Sequence, residues 1–143
     1  MSETPSDDIQ GFFADFARAA ANADVAATAT QFADTFISAD PTGSKAVPRD
    51  AFIATLPQRH RLFSEIGMTG ERLETLTQTT LDDHYVLVKT EWVGEFADDE
   101  SANDDFRLSS SFILRRDADG LRIVLYLNHH DVTELIHQRR NRA

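Results

Sequence analysis

One turn in the sequence places a carboxylate directly before a proline, in residues 39–44, which read Ala-Asp-Pro-Thr-Gly-Ser. Asp40 in this turn is a candidate general base, because a carboxylate partly withdrawn from water has a raised pKa and can exchange protons near neutral pH. The structural interpretation is the more common one, since Asp before Pro is an ordinary turn residue. The sequence is consistent with both interpretations.

Histidine is the second residue type that could move protons, and three of the five histidines are in phase with apolar positions. His60 lies on the apolar stripe of a predicted helix, and His84 and His129 lie at the ends of predicted strands. An imidazole that faces an apolar cavity can transfer a proton near neutral pH or donate to a ligand oxygen. We therefore take His129 as the second candidate acid-base residue, while the alternative for each histidine is a structural role with satisfied hydrogen bonds.

No metal or cofactor site is predicted. The chain has no cysteine, so a thiolate site is not available. The adjacent His129 and His130 would point to opposite faces of a strand and could not share a ligand-binding face. We expect no bound metal and no cofactor.

A pocket is predicted between the helices and the inner face of a sheet. Small-molecule sites are usually apolar with a few convergent polar groups. The residues that we expect to contact a ligand are His60, Thr90, Trp92, Ser110, Phe112, Leu125 and Leu127. Trp92 also has a simpler interpretation as a core residue.

Three helices are predicted before the sheet. The first starts at about residue 6, where a capping residue precedes two acids. Apolar residues at spacings of three and four predict a second helix over residues 25–36 and a third over residues 49–66. A short terminal helix is predicted over residues 131–138.

A four-strand antiparallel meander is predicted over residues 73–128. Runs rich in Val, Ile, Thr, Phe and Leu are separated by turn signals at residues 81–83, 98–105 and 117–120. Alternation in the last strand predicts that Leu125 and Leu127 face inward. Helices followed by a meander predict an α+β fold in which a curved antiparallel sheet wraps around the N-terminal helices.

Charge and length exclude several classes of function. Twenty-four acidic against fourteen basic residues give a net charge of -10, which disfavours nucleic acid and anionic membrane surfaces as partners. No apolar stretch approaches the length of a membrane span. We expect one cytoplasmic domain over residues 1–143, with flexible ends at residues 1–6 and 139–143.

The order of these elements resembles the nuclear-transport-factor-two-like superfamily, whose cystatin-like cone fold wraps a curved sheet around a helix. The resemblance covers nearly the whole chain. It rests on the segment at residues 32–34, the turn at residues 39–44, the helix from Arg49 and the hairpin at residues 115–123. It implies a cone whose interior binds small apolar molecules, and in many members a homodimer.

Among these proteins, the ketosteroid isomerases take their general base from a segment that resembles the one around Asp40. Their oxyanion hole uses a tyrosine in the first helix and a protonated acid on the third strand. This chain has Phe12, Phe13 and Phe16 in the first helix and Phe112 at the matching strand position. Steroid isomerisation by that mechanism is therefore not expected.

Together, these observations predict a protein that holds a small apolar ligand in a cone-shaped cavity. The alternative is a cofactor-independent isomerase, dehydratase or cyclase that uses Asp40 or His129 as its acid or base. We also expect a homodimer joined through the outer face of the sheet. The apolar residues predicted on that face are Leu87, Val93, Ile113, Val124 and Tyr126.

Overall fold

Four helices and six strands make up the described part of the chain. The computed structural model describes residues 3–96 and 106–141. The helices are α1 (Asp7–Ala21), α2 (Val25–Ala29), α3 (Arg49–Glu65) and α4 (Val132–Asn141). The strands are β1 (Phe32–Asp40), β2 (Gly43–Pro48), β3 (Met68–Thr80), β4 (Tyr85–Phe96), β5 (Arg107–Asp117) and β6 (Gly120–Asn128). The turn predicted at residues 98–105 lies outside the described residues.

The six strands form one curved sheet in the order β2-β1-β6-β5-β4-β3. Neighbouring strands are antiparallel except β1 and β6, which run parallel. The predicted α+β fold with a curved sheet and N-terminal helices is thus confirmed. Within the described ranges, no helix is long and apolar enough to cross a membrane.

The second helix of the sequence prediction was wrong. α2 ends after five residues, and Phe32 begins β1, which pairs with β2 on one side and β6 on the other. Phe32 and Phe36 are both buried on the inner side. A spacing of four suits one face of a helix and one face of a strand equally well, so the pattern could not decide between them. The segment forms a strand because it pairs with β2 and β6 in the sheet.

The main core lies between α1 and the inner face of the sheet. Ile9 and Phe13 of α1 are fully buried, and the Phe13 ring packs edge-on against Phe112 at a centroid distance of 4.9 Å. A second cluster lies where α4 meets the sheet, with Ile136 against apolar residues that include Trp92 and Phe106. The helices therefore occupy the concave side, as the predicted inner faces of β4 and β5 require.

The two described chain ends make defined contacts. The Glu3 N–H donates to the Gln78 carbonyl at 2.7 Å, and the Thr80 hydroxyl donates to the Glu3 carboxylate at 2.8 Å. At the other end, the Arg139 guanidinium lies 4.0 Å from the centroid of the Phe96 ring. Glu3 and Arg139 thus contact the body of the fold.

A β-bulge in β6 inverts the alternation that the sequence predicts for this strand. Leu114 pairs with Ile123, but Ile113 pairs with Leu125, so Val124 is an extra residue. Beyond it, Tyr126 turns inward and stacks on Phe112 with an interplanar angle of 7°. The predicted inward placement of Leu125 and Leu127 was therefore wrong. These two leucines continue the outer face, and they are only half-buried.

Candidate ligand-binding cavity

A cavity of about 400 Å³ lies between α1, α2, α3 and the first residues of β3. Tyr126 reaches the cavity from β6 because the bulge turns it inward. The wall is mostly apolar, and its large apolar side chains are Phe16, Phe32, Phe52, Leu56, Phe63 and Met68. A volume of this size is within the range of small-molecule sites.

One face of α3 forms a long wall of the cavity. Phe52, Leu56, Arg59 and Phe63 recur at spacings of four, three and four, so they share a helix face. All four line the cavity. Arg59 is thus carried inward by the same periodicity that buries its apolar neighbours.

The Arg59 side chain is half-buried in this wall. Its Cζ atom is 5.6 Å from the centroid of the Phe63 ring, a favourable position for a cation. The pKa of Arg59 lies above its ordinary value, first because the neighbouring Tyr126 oxygen attracts the guanidinium and then because the Glu71 carboxylate does the same. Burial opposes this rise. Arg59 therefore stays charged inside a mostly apolar cavity.

Glu71 faces the same space from β3. It lies opposite Gly94, two residues before the inward-facing Leu73, so strand alternation places it on the inner face. Burial raises the pKa of the Glu71 carboxyl, because a low-dielectric environment disfavours its charged form, and attraction by Arg59 offsets part of the rise. We call Arg59, Glu71 and Tyr126 the polar cluster.

This arrangement can bind oxygen atoms. A guanidinium and a phenol donate hydrogen bonds, and a protonated carboxyl can donate as well. In the described ranges, no three His, Cys, Asp or Glu side chains converge on one point. Glu134 and His137 share a face of α4, but both are exposed.

Of the residues predicted to contact a ligand, His60 lines the cavity. Its side chain is exposed, which places it at the mouth. Asp40 lies outside, at the exposed end of β1 where the turn to β2 begins. The Thr42 hydroxyl donates to Asp40 at 2.6 Å and the Thr42 N–H at 2.8 Å, and these bonds lower the pKa of Asp40. That direction is opposite to the one that a general base needs.

The other predicted histidines also lie away from the cavity. His129 is exposed, and its Nε2 lies 2.7 Å from the Ser111 hydroxyl rather than at the cavity wall. The predicted inward position of His129 assumed an unbroken alternation through Leu125 and Leu127, which the bulge removes. His84 is exposed in the turn before β4, where its N–H donates to Asp82.

The remaining predicted contacts are core residues. Trp92 is 4% exposed, and its Nε1 donates to the Thr90 hydroxyl at 2.8 Å. Ser110 donates to the Asn128 side chain at 2.9 Å. Phe112 is 1% exposed and packs between the Phe13 and Tyr126 rings. The structure thus separates these four from the cavity and brings His60 to it.

Sequence reasoning missed the whole polar cluster, although two of its members left a signal. Arg59 is three residues after Leu56 and four before Phe63, so it is a cation in phase with an apolar stripe. Glu71 lies on the inner face of β3, but it comes before residue 73, where the predicted meander begins. Tyr126 gave no signal, because Leu121 to Leu127 alternate as if no bulge were present.

Solved structures with the same fold are numerous, and three of them illustrate how little sequence they share with this chain. Aln2 from a Streptomyces species superposes with a TM-score of 0.71 at 15% identity, covering 93% of this chain and 98% of that one. An NTF2-like protein of unknown function from Shewanella oneidensis gives 0.70 at 12%, covering 89% and 100%. An NTF2-like protein with a cystatin-like fold from Novosphingobium aromaticivorans gives 0.68 at 18%, covering 90% and 86%. At these identities the likeness shows the fold alone.

Sequence comparison places the chain in a family. No curated protein matches it at a significant level. A family profile described as "NTF2-like protein (DUF6841)" matches residues 5–131, which contain all of the cavity residues and the whole sheet. The predicted superfamily is confirmed. The chain belongs to the NTF2-like protein family DUF6841.

Proposed function

We propose that the protein binds a small molecule with an apolar body and one polar end in the cavity between α3 and the sheet. The observation that carries the proposal is the polar cluster at the wall of an otherwise apolar space of about 400 Å³. Apolar lining supplies affinity through burial, and a few fixed polar groups orient the ligand. Packing alone does not require a guanidinium on α3 and a carboxyl on β3 that both line the same cavity.

The partial desolvation of Arg59 and Glu71 supports the same proposal. Arg59 and Glu71 are half-buried, and both line the cavity. Holding charged or ionisable groups away from bulk water costs stability unless they are paired, so such groups are concentrated at functional sites. A bound anionic group would supply Arg59 with an ion-pair partner inside the cavity.

The direct structural test is a crystal soaked with 2-naphthoate, a rigid aromatic acid small enough for the cavity. We expect electron density for its rings among Phe52, Leu56 and Phe63, with the polar end toward the polar cluster. The measured quantity is the position of the ring system. Rings bound only at the surface, with the cavity closed by inward movement of α1 or α2, would contradict the proposal.

We also propose a homodimer formed through the outer face of the sheet. Leu87, Ile113, Leu125 and Leu127 are half-buried there, and Ile37 is 39% exposed at the same side of β1. Of the residues first expected on this face, Tyr126 points inward and Val93 is fully buried. The two leucines of β6 take their place, so the apolar surface is not lost. A surface of this kind favours association.

Replacing both Ile113 and Leu125 by Asp should convert the dimer to a folded monomer. Each aspartate would place a charge in the proposed interface. The net charge of the wild type opposes association only weakly, because the Debye length is about 8 Å at physiological salt. Sedimentation velocity at high micromolar concentration measures the change. Ala14→Asp, at an exposed position of α1, is the control. A wild-type protein that sediments as a monomer would end this proposal.

A further inference from the structure

The charge balance of the polar cluster limits what can bind beside it. Arg59 is permanently charged. Within the described part of the chain, its guanidinium makes no ion pair with a carboxylate; the seven ion pairs present involve other arginines. Glu71 is the acid that acts on Arg59, and burial disfavours its charged form.

Other charged groups near the cavity do not neutralise the cluster. Asp24 caps the N-terminus of α2, where it accepts the Ala27 N–H at 3.0 Å, and it is exposed. His60 and Arg61 line the mouth and are also exposed. On β4, Glu95 lies across from Gly70 rather than from Glu71. The inner wall therefore presents one permanent cation and one carboxyl whose pKa burial raises.

We propose that the ligand is a small apolar monoanion, such as a carboxylate, enolate or phenolate, which binds Arg59 and Tyr126 while Glu71 takes up a proton from solvent. The inference rests on the proposed function and adds the chemical class of the ligand. An anion in this position matches the single positive charge of the guanidinium. A dianion would leave one charge uncompensated in an apolar space.

Proton uptake follows from the competition of two anions for one guanidinium. A carboxylate ligand beside Arg59 would stand close to the Glu71 carboxylate, and like charges raise the pKa of a carboxyl. Burial already raises the pKa of Glu71 in the same direction. Once protonated, Glu71 can donate its hydrogen bond to a ligand oxygen instead of repelling it. Binding then tightens as the pH falls.

The test compares 2-naphthoate with 2-naphthamide, its neutral isostere, by titration calorimetry between about pH 6 and 8.5. Naphthoate stays ionised over this range. We expect it to bind about 10- to 100-fold more tightly than the amide at the acid end, as hydrogen bonds to charged groups imply. Its affinity should fall toward the alkaline end, whereas that of the amide should not change. Titrations in phosphate and Tris, which differ in ionisation enthalpy, should show uptake of up to one proton per naphthoate.

Two variants separate the possible proton acceptors. Glu71→Gln should bind naphthoate with an affinity independent of pH and without proton uptake. His60→Gln should retain the uptake, since His60 lies at the exposed mouth. Uptake that persists in Glu71→Gln, or is lost in His60→Gln, would overturn the assignment to Glu71.

The outcomes also separate this inference from the proposed function. Equal binding of naphthoate and naphthamide would overturn the monoanion and leave small-molecule binding in place. Failure of both probes to bind would overturn both.

Discussion

Replacement of Trp92 by alanine is expected to lower the free energy of unfolding by about 3 to 5 kcal/mol. Trp92 is 4% exposed, and its ring lies 5.9 Å from that of Phe16 in α1. It also belongs to the cluster in which Ile136 of α4 is buried. Its removal would leave a cavity between three elements and leave the Thr90 hydroxyl without its donor. The loss should appear as a lower denaturation midpoint at an unchanged slope.

Two other substitutions serve as controls for Trp92→Ala. Trp92→Phe keeps most of the apolar contact and removes the Nε1 donor, so it should cost less than Trp92→Ala. Leu81→Ala also truncates a large apolar side chain, but this side chain is exposed. The substitution should therefore alter stability by no more than about 0.5 kcal/mol. A loss below about 1 kcal/mol for Trp92→Ala would mean that the inner face of β4 is assigned incorrectly.

Much of the sheet could be predicted because regular alternation survives in its central strands. In β4, Val86, Val88, Thr90 and Trp92 are buried, and the residues between them are more exposed, as the two-residue period of a strand predicts. The same pattern misled in β6, since one inserted residue, Val124, changes which side chains face inward. A bulge leaves no mark in a run of apolar residues, so only the pairing with β5 reveals it.

The composition of the candidate site could not be predicted: of the seven residues expected to contact a ligand, one, His60, lines the cavity. The resemblance to cone-shaped proteins implies a cavity between helices and sheet, and the structure contains one there. The local motif made Asp40 a candidate for acid-base chemistry. In the structure its carboxylate accepts two hydrogen bonds from Thr42 and is exposed to water. Arg59, Glu71 and Tyr126 come from three separate elements. Their convergence depends on how α3 packs over β3 and β6, which no local pattern encodes.

Filling the cavity should abolish ligand binding while the fold persists. Leu56 is half-buried on the inner face of α3 and lines the cavity. In Leu56→Trp, the larger ring should occupy the space that a ligand needs, because the side chains that form the walls leave no other room for it. We expect the affinity for 2-naphthoate to fall by about 100-fold or more, which corresponds to roughly 2.7 kcal/mol.

The matched control is Ala54→Trp, two residues earlier in the same helix. Ala54 is exposed and is not part of the cavity wall. This variant introduces the same ring into α3 without filling the site, so its affinity for naphthoate should match that of the wild type. Thr28→Trp introduces a second filling ring from the opposite wall, in α2.

The most direct measurement of the central claim is therefore the naphthoate dissociation constant of these proteins, with circular dichroism to establish that each is folded. Loss of binding in Leu56→Trp and Thr28→Trp, with normal binding in Ala54→Trp, is the predicted result. Naphthoate bound with wild-type affinity by both folded filling variants would contradict the claim that the cavity is the ligand site.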